Sequence, residues 1–374
     1  TVNPGGSAYF DGTYNSNTDA VVLKFNNSGT LQWASYLGGN ETDYGNAVAI
    51  DGQNIFITGV AGNNFPMQNW IGAYNQNTAV GQDAFLCKFD NNLSLQWSTY
   101  YGGDGTDEAL TITTDGVQQI FIAGYTNSTH NTFPSATYNG ADNQNPITNT
   151  EGFIATFNNI GVRTYATHRG GNGDDYITSL SAHPIIHVVA AAGFTTSTNL
   201  YVTDQSYNHG GVDGFMFLPH SNGSTESTYY GGSGNDYITD VVAHKFYGFA
   251  YTGRTNSSDF PLVGPYQNTL SGDYDAFIIN KVDQTLMYPG TPQGYQVKWA
   301  TLFGGSQLDA PTSITTDDAG RLYVAGFTFS NDLPLVSPAF AGGFYNTTND
   351  GNAEGFAFAF SQGQNLLWSS YRGT

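Results

Sequence analysis

Apolar and polar residues alternate in short runs along this chain, and each run is bounded by Gly, Asn or Asp. In one stretch a run at 109–113 is followed by a turn at 115–116 and by a second run at 120–124. A long polar segment then precedes two more runs, at 152–157 and 162–168. Alternation in runs rich in β-branched and aromatic residues predicts β-strands, and no segment shows a useful helical period. The pattern predicts four antiparallel strands, which we name a, b, c and d in chain order.

This four-strand unit recurs along the whole chain. A Gly-Gly pair follows an aromatic run near the end of strand d, and an acidic residue, a small residue and usually Phe begin strand c. The pairs follow one another at intervals of 61 to 73 residues, which indicates a repeat architecture. The first glycines are Gly38, Gly102, Gly170, Gly231 and Gly304, with a truncated copy at Gly373, and the acids are Asp19, Asp83, Glu151, Asp213, Asp275 and Glu354.

Repetition of a four-stranded antiparallel unit is the plan of a β-propeller. We therefore expect an all-β fold in a single domain spanning residues 1–374, with repeats beginning near residues 19, 83, 151, 213, 275 and 354. Residues 1–18 are similar to the tail of a b–c loop, so the chain opens with strands c and d of one blade. The expected architecture is five complete blades plus a half blade, or a six-bladed ring if the half blade is completed.

The half blade lacks its strands a and b, and an open sheet edge is a structural liability. Two explanations remain open. Either the native polypeptide continues beyond Thr374 and supplies the two strands, which is the simpler explanation, or another subunit supplies them by strand donation.

Bulky residues at fixed repeat positions are expected to pack between blades. Trp occupies the same place in four copies of strand d, and the only cysteine, Cys87, lies in an apolar strand pattern. A buried, small core residue is the favoured interpretation of Cys87, and no disulfide framework is possible. The strand d tryptophans are Trp33, Trp97, Trp299 and Trp368, with Tyr165 and Glu226 at the equivalent position of the other two copies.

The repeated residues resemble a known family. The second copy reads Asp-Ala-Phe from Asp83, Trp-Ser-Thr-Tyr-Tyr-Gly-Gly-Asp-Gly-Thr-Asp from Trp97, Ile-Phe-Ile-Ala-Gly-Tyr-Thr-Asn-Ser from Ile120, and then Phe133-Pro. This pattern is similar to the bacterial β-propeller repeats often called SBBP repeats, and the similarity recurs in every copy. The third copy departs most, because His168-Arg replaces Tyr-Tyr and Phe-Pro is missing. The resemblance implies a propeller of secreted or surface bacterial proteins that serves as a scaffold or binding module.

The charge of the chain limits the classes of molecule that it is expected to bind. Ten basic residues stand against thirty acidic ones, which gives a net charge of −20 at pH 7. Such a surface repels nucleic-acid phosphates and anionic lipid, and it is compatible with cations, sugars or basic proteins. No apolar stretch is long enough to cross a membrane. Together with few lysines and much Asn and Gly, this composition favours an extracellular or cell-surface location, without membrane insertion.

The loops between strands b and c are long and divergent, and a scaffold places recognition on such variable loops. They cover roughly residues 61–82, 127–150, 195–212, 255–274 and 328–353, and they emerge at the same end as the d–a loops. Aromatic residues in them are candidates for ligand stacking, although packing as loop anchors is the plainer role for most. Trp70 is the least repeated and the best candidate. The full set is Trp70, Tyr74, Tyr138, Tyr207, Tyr266, Phe344 and Tyr345.

The d–a loops imitate the calcium-binding nonapeptide Gly-Gly-x-Gly-x-Asp. That motif needs tandem turns that stack, whereas these copies lie more than 60 residues apart. A tight turn whose Asp accepts backbone N–H groups is therefore favoured, with Ca²⁺ as a possible cofactor. The candidate metal ligands are Asp43, Asp107, Asp175, Asp236 and Asp309.

The sequence carries no zinc-protease, nucleophile-elbow or phosphate-loop motif, so we expect no enzyme activity. The favoured function is a non-catalytic extracellular module for binding or adhesion, which recognises a protein or glycan on a cell surface through the long loops. The main alternative is a structural subunit of an extracellular fibre or appendage that self-assembles through the open half blade. A carbohydrate-active enzyme ranks third, because two carboxylates about 5–10 Å apart could meet at a propeller mouth.

Overall fold

The fold is all-β. The computed structural model describes residues 1–15, 17–135, 147–203, 210–219, 225–246, 248–283, 295–339, 345–349 and 352–372. Over these residues it has 22 strands, arranged as five four-stranded sheets and one two-stranded sheet, and no helix long and apolar enough to cross a membrane. The predicted β-propeller class, with five complete blades and a half blade, is confirmed.

Each sheet is a run of consecutive strands. The half blade is β1 (Ala20–Phe25) and β2 (Leu31–Leu37). Blade 1 is β3 (Tyr44–Asp51), β4 (Asn54–Ala61), β5 (Asp83–Phe89) and β6 (Leu95–Tyr101); blade 2 is β7 (Asp107–Thr114), β8 (Gln119–Thr126), β9 (Glu151–Asn158) and β10 (Arg163–Arg169). Blade 3 is β11 (Asp175–Ala182), β12 (Val189–Thr195), β13 (Asp213–Pro219) and β14 (Thr225–Tyr230); blade 4 is β15 (Asp236–His244), β16 (Gly248–Thr255), β17 (Asp275–Asp283) and β18 (Tyr295–Phe303); blade 5 is β19 (Asp309–Thr316), β20 (Leu322–Thr328), β21 (Glu354–Phe360) and β22 (Leu366–Arg372).

Within a complete blade the strands are hydrogen-bonded in chain order, and the pairings are antiparallel. In blade 2 the register of strands b and c runs from Gln119 opposite Asn158 to Thr126 opposite Glu151. The b–c loops therefore leave the sheet at the end where each d strand turns into the next a strand. This confirms the predicted common end for the long loops and the Gly-rich turns.

The chain divides into two compact units, and the division falls inside strand β11, between Ile177 and Thr178. The first unit holds the half blade and blades 1 and 2, and the second holds most of blade 3 with blades 4 and 5. The single domain and the six-bladed ring stay predictions.

Packing between adjacent sheets confirms the predicted role of the strand d tryptophans. Trp33 is buried, its ring lies 5.5 Å from that of Phe89, and its Nε1 donates to the carbonyl oxygen of Tyr9. In the second unit Trp299 is likewise buried 6.1 Å from the ring of Phe360. Cys87 is fully buried, as expected of a core residue. Trp368 is only half-buried.

Candidate functional site

The acid that begins strand c of one blade meets the acid that begins strand a of the next blade. Between blades 1 and 2 these are Asp83 and Asp107, both fully buried, and the backbone of Gly102 separates them. A Cβ atom placed on Gly102 would lie 2.5 Å from Asp107 Oδ2 and 2.8 Å from Asp83 Oδ1. Only a glycine leaves both carboxyl groups this room, and we call the arrangement a carboxyl pair.

The same carboxyl pair occurs at five places. In each, a Cβ atom on the first glycine of the Gly-Gly sequence would collide with both acids. The repeat therefore conserves a buried pair of acids along the molecule, and not only a tight turn. With the intervening glycine in the middle, the pairs are Asp19–Gly38–Asp43, Asp83–Gly102–Asp107, Glu151–Gly170–Asp175, Asp213–Gly231–Asp236 and Asp275–Gly304–Asp309.

The strand a acid of each pair closes the d–a turn. Asp107 Oδ2 accepts hydrogen bonds from the Gly103 N–H at 2.8 Å and from the Ser128 hydroxyl at 2.7 Å. This is the backbone bond that the sequence predicted, because a carboxylate at a strand start satisfies the free N–H groups of the turn. The equivalent N–H donors are Gly39 to Asp43, Gly171 to Asp175, Gly232 to Asp236 and Gly305 to Asp309, at 2.7 to 2.9 Å.

The strand c acid is held from the b–c loop. Gln76 Nε2 donates to Asp83 Oδ2 at 2.7 Å, and Gln267 donates to Asp275 at the same distance in the second unit. Asp83 Oδ1 is buried and has no hydrogen-bond partner. Sequence reasoning used the strand c acids only as repeat markers and missed their place in this site. Their recurrence 18 or 19 residues before the Gly-Gly sequence in four copies, and 29 residues before it in the fifth, was the available signal.

Burial and the like charge of the neighbouring acid both raise the pKa of these acids. Burial, the largest cause, and the charge of Asp107 raise the pKa of Asp83 to about 8. Burial likewise raises the pKa of Asp275 to about 7 and that of Glu151 to about 8, and the neighbouring strand a acid adds to both. Two buried carboxylates cannot both be ionised cheaply, so the pair favours retention of one proton near neutral pH.

A retained proton fits the carboxyl pair better than Ca²⁺ does. Calcium takes six to eight oxygen ligands, whereas each pair offers two side chains, and several of their oxygens already accept hydrogen bonds. Over the described ranges, no group of three or more His, Cys, Asp or Glu side chains is suited to a metal. Calcium at the strand a acids stays a prediction.

Two of the candidate loop aromatics are anchors. Tyr74 packs 5.8 Å from the ring of Tyr101 and 6.1 Å from that of Phe157, with the Arg163 guanidinium over its face. Tyr266 lies 5.5 Å from the ring of Phe360, in the equivalent place of the second unit, and is 46% exposed, so that it anchors the loop with part of its surface in solvent. Both tyrosines therefore tie a b–c loop to the next sheet, which is the role that the sequence favoured for most of these residues.

Trp70 lies four residues before Tyr74 and is exposed instead. Trp70 is 45% exposed, and the adjacent Ile71 is 97% exposed. The described part of the chain gives Trp70 no aromatic partner, so its indole is available to a ligand. Tyr345 is also exposed. Tyr138, Tyr207 and Phe344 lie outside the described residues.

Comparison with known families agrees with this architecture. The family model described as a beta-propeller repeat, SBBP, matches residues 298–334, which extend from strand d of blade 4 past strand b of blade 5. No curated protein matches the chain. The chain therefore has a β-propeller architecture, and one segment of it, residues 298–334, matches the SBBP beta-propeller repeat.

Proposed function

We propose that this protein is a non-catalytic extracellular module that binds a protein or glycan on a cell surface through its b–c loops. The observation that carries the proposal is the b–c loop of blade 1, which presents Trp70 and Ile71 to solvent. Exposed aromatic side chains of this kind provide large contact area with few rotatable bonds, and they are enriched at binding surfaces.

The backbone that carries Trp70 is held in place. The Asn75 side chain donates to the carbonyl oxygens of Trp70 and Ala73 at 3.2 and 3.0 Å, and the Ala73 N–H donates to Trp70 at 3.1 Å. Tyr74 then anchors the same turn in the core. Because the loop is ordered before a ligand arrives, binding loses less conformational entropy.

Charge limits the ligand class. A net charge of −20 favours a basic protein surface or an uncharged glycan over an anionic polysaccharide. Indole faces suit the apolar C–H face of a sugar ring, so a neutral glycan is the first class to test.

The test is a glycan array followed by affinity measurement on any hit, with Trp70→Ala as the probe. Val117→Ala is the matched control, because Val117 is similarly exposed but lies on the a–b turn of blade 2. We expect Trp70→Ala to weaken binding at least tenfold and Val117→Ala to leave it unchanged. Equal effects of the two changes, or an array without hits together with no bound surface protein, would refute the loop-binding function.

A second candidate function is a structural subunit of an extracellular fibre. The half blade supports it, because Val21, Leu23 and Phe25 on β1 are each more than half exposed. The equivalent side chains of β5, Phe85, Cys87 and Phe89, are fully buried. Sizing chromatography and negative-stain microscopy that show only monomers over a wide concentration range would exclude this function.

A further inference from the structure

The edge of β1 that faces away from β2 has no strand beside it in the described part of the chain. In blade 1 the equivalent edge, that of β5, is paired along its length with strand b, from Phe89 opposite Ile55 to Asp83 opposite Ala61. An unpaired edge presents free backbone N–H and C=O groups, which can accept an added strand.

Next to this edge, strand β3 of blade 1 shows an apolar face to solvent. Val48 is 62% exposed and Ile50 is 67% exposed. The residue at the Val48 position, five after the strand a acid, is nearly buried elsewhere: Ile112 is 8% exposed, and Val241 and Ile314 are each 4% exposed. In the first unit, Ile112 belongs to the core cluster that also contains Phe56 of β4. Val48 is thus exposed because the half blade lacks the strands a and b that would cover it.

We propose that the free edge of β1 and the exposed face of β3 form one acceptor surface for a β-hairpin of the strand a–b type. The donor strand b would pair with β1, as β4 pairs with β5. The enlarged half blade would then cover Val48 and Ile50, as β3 and β4 cover the Ile112 side of β7. Hydrogen bonds along the edge and burial of these side chains would both stabilise the complex.

The repeat also specifies the sequence of the donor. In each complete blade a glycine of strand b lies opposite the aromatic residue of strand c, as Gly59 lies opposite Phe85 and Gly124 opposite Phe153. A Cβ on Gly124 would collide with the Glu108 carbonyl group of strand a. In the acceptor surface the donor glycine would face Val21, so a hairpin without this glycine should not fit.

The occupant is a hairpin of the strand a–b type and not a folded second copy of the described chain. Each a–b hairpin of blades 1, 2, 4 and 5 is already paired with its own strand c. A second copy could donate one only by dismantling a blade. This inference rests on the second candidate function only in taking the half blade as a site of assembly. It adds the identity of the segment, an a–b hairpin, that would complete the half blade.

The experiment uses the purified chain and a synthetic peptide that copies residues 107–126, which form strands a and b of blade 2. We expect saturable binding, and hydrogen exchange should slow at the amides of residues 20–25. Val48→Asp should weaken binding at least tenfold, because it places a charge on the covered face. The control is Val117→Asp, which makes the same change on a turn where the side chain is also more than half exposed. A peptide carrying Gly124→Val should bind at least tenfold more weakly.

Failure of this inference can be told apart from failure of the fibre function. Absence of peptide binding, or binding that Val48→Asp and Val117→Asp weaken equally, overturns the hairpin acceptor. Protection of residues 20–25 in the protein alone, with dimers in solution, overturns it as well, because a second copy would then cover the edge. Peptide binding by a protein that stays monomeric supports the acceptor and rejects the fibre.

Discussion

Asp83 and Asp107 place carboxylate oxygens within 2.8 and 2.5 Å of one point, the position that a Cβ on Gly102 would occupy. Twenty-four residues separate the two acids in sequence, and both are fully buried. Their convergence on Gly102 explains why the repeat keeps an acid at the start of strand c, a glycine after strand d and an acid at the start of strand a. It also links the stability of the fold to pH.

Stability should fall as the pH rises from about 4 to 8. The folded pKa values of Asp43, Asp275, Asp83 and Glu151, about 6, 7, 8 and 8, lie above the ordinary values of 3.8 for Asp and 4.5 for Glu. The folded state therefore binds more protons than the unfolded state in this window, and deprotonation favours unfolding. We expect Tm to drop by roughly 5 °C or more between pH 5 and pH 8, measured by circular dichroism at constant ionic strength. A Tm that rises over this range would contradict the retention of a proton by the carboxyl pairs.

Asp83→Asn should stabilise the protein at pH 8 by about 1–3 kcal/mol and flatten the pH dependence. The amide removes one of the two like charges, still accepts the Gln76 hydrogen bond and can donate toward Asp107. Urea unfolding at pH 5 and pH 8 measures the change. Asp318→Asn, on an exposed turn, is the control and should alter the free energy of unfolding by less than about 0.5 kcal/mol. Destabilisation by Asp83→Asn at pH 8 would show that the pair is not strained by charge.

Gly102→Ala should destabilise the fold by about 1–3 kcal/mol, because the new methyl group would overlap both carboxyl groups. Gly363→Ala is the matched change, since its nearest neighbour would be Asn365 at 3.7 Å. Thermal melts of the two variants compare them directly. Similar Tm values would mean that the acids move apart at little cost.

Substitution of the two tryptophans of blade 1 should distinguish a residue that stabilises the fold from a residue that binds a ligand. Trp97 is buried, and its Nε1 donates to the Asn159 carbonyl at 3.3 Å, so Trp97→Ala should cost about 3–5 kcal/mol of unfolding free energy. Trp70→Ala should change that free energy by less than about 0.5 kcal/mol, because the side chain is exposed. Urea titrations measure both values. A large loss of stability in Trp70→Ala would assign Trp70 to the core and remove it as a binding residue.

Calcium should have little effect on Tm at a pH below the pKa values of the carboxyl pairs. At pH 6 the proton that each pair retains competes with a cation, so chelation with EGTA should leave Tm within about 1 °C of its starting value. Melts with added Ca²⁺ at pH 6 and pH 9 complete the measurement. A Tm that rises with Ca²⁺ at both pH values would establish the calcium site that the d–a loops suggest.

The strand pattern was predictable because its causes are local. The predicted run at 120–124 lies within β8 (Gln119–Thr126), and the run at 152–157 lies within β9 (Glu151–Asn158). Side chains that alternate between two faces, together with Gly and Asn at turns, depend on neighbours along the chain. The loop aromatics were less predictable, because Trp70 and Tyr74 are only four residues apart and yet one is exposed and the other packs on Phe157.

The sequence by itself determined the all-β class, the number of blades and the half blade at the start of the chain, because each copy repeats the same local pattern of strands and turns. Only the tertiary structure decided that Asp83 meets Asp107, that Tyr74 is an anchor and that Val48 is left uncovered. These features depend on which sheet packs against which, and a one-dimensional pattern does not record what lies across an interface from a given side chain.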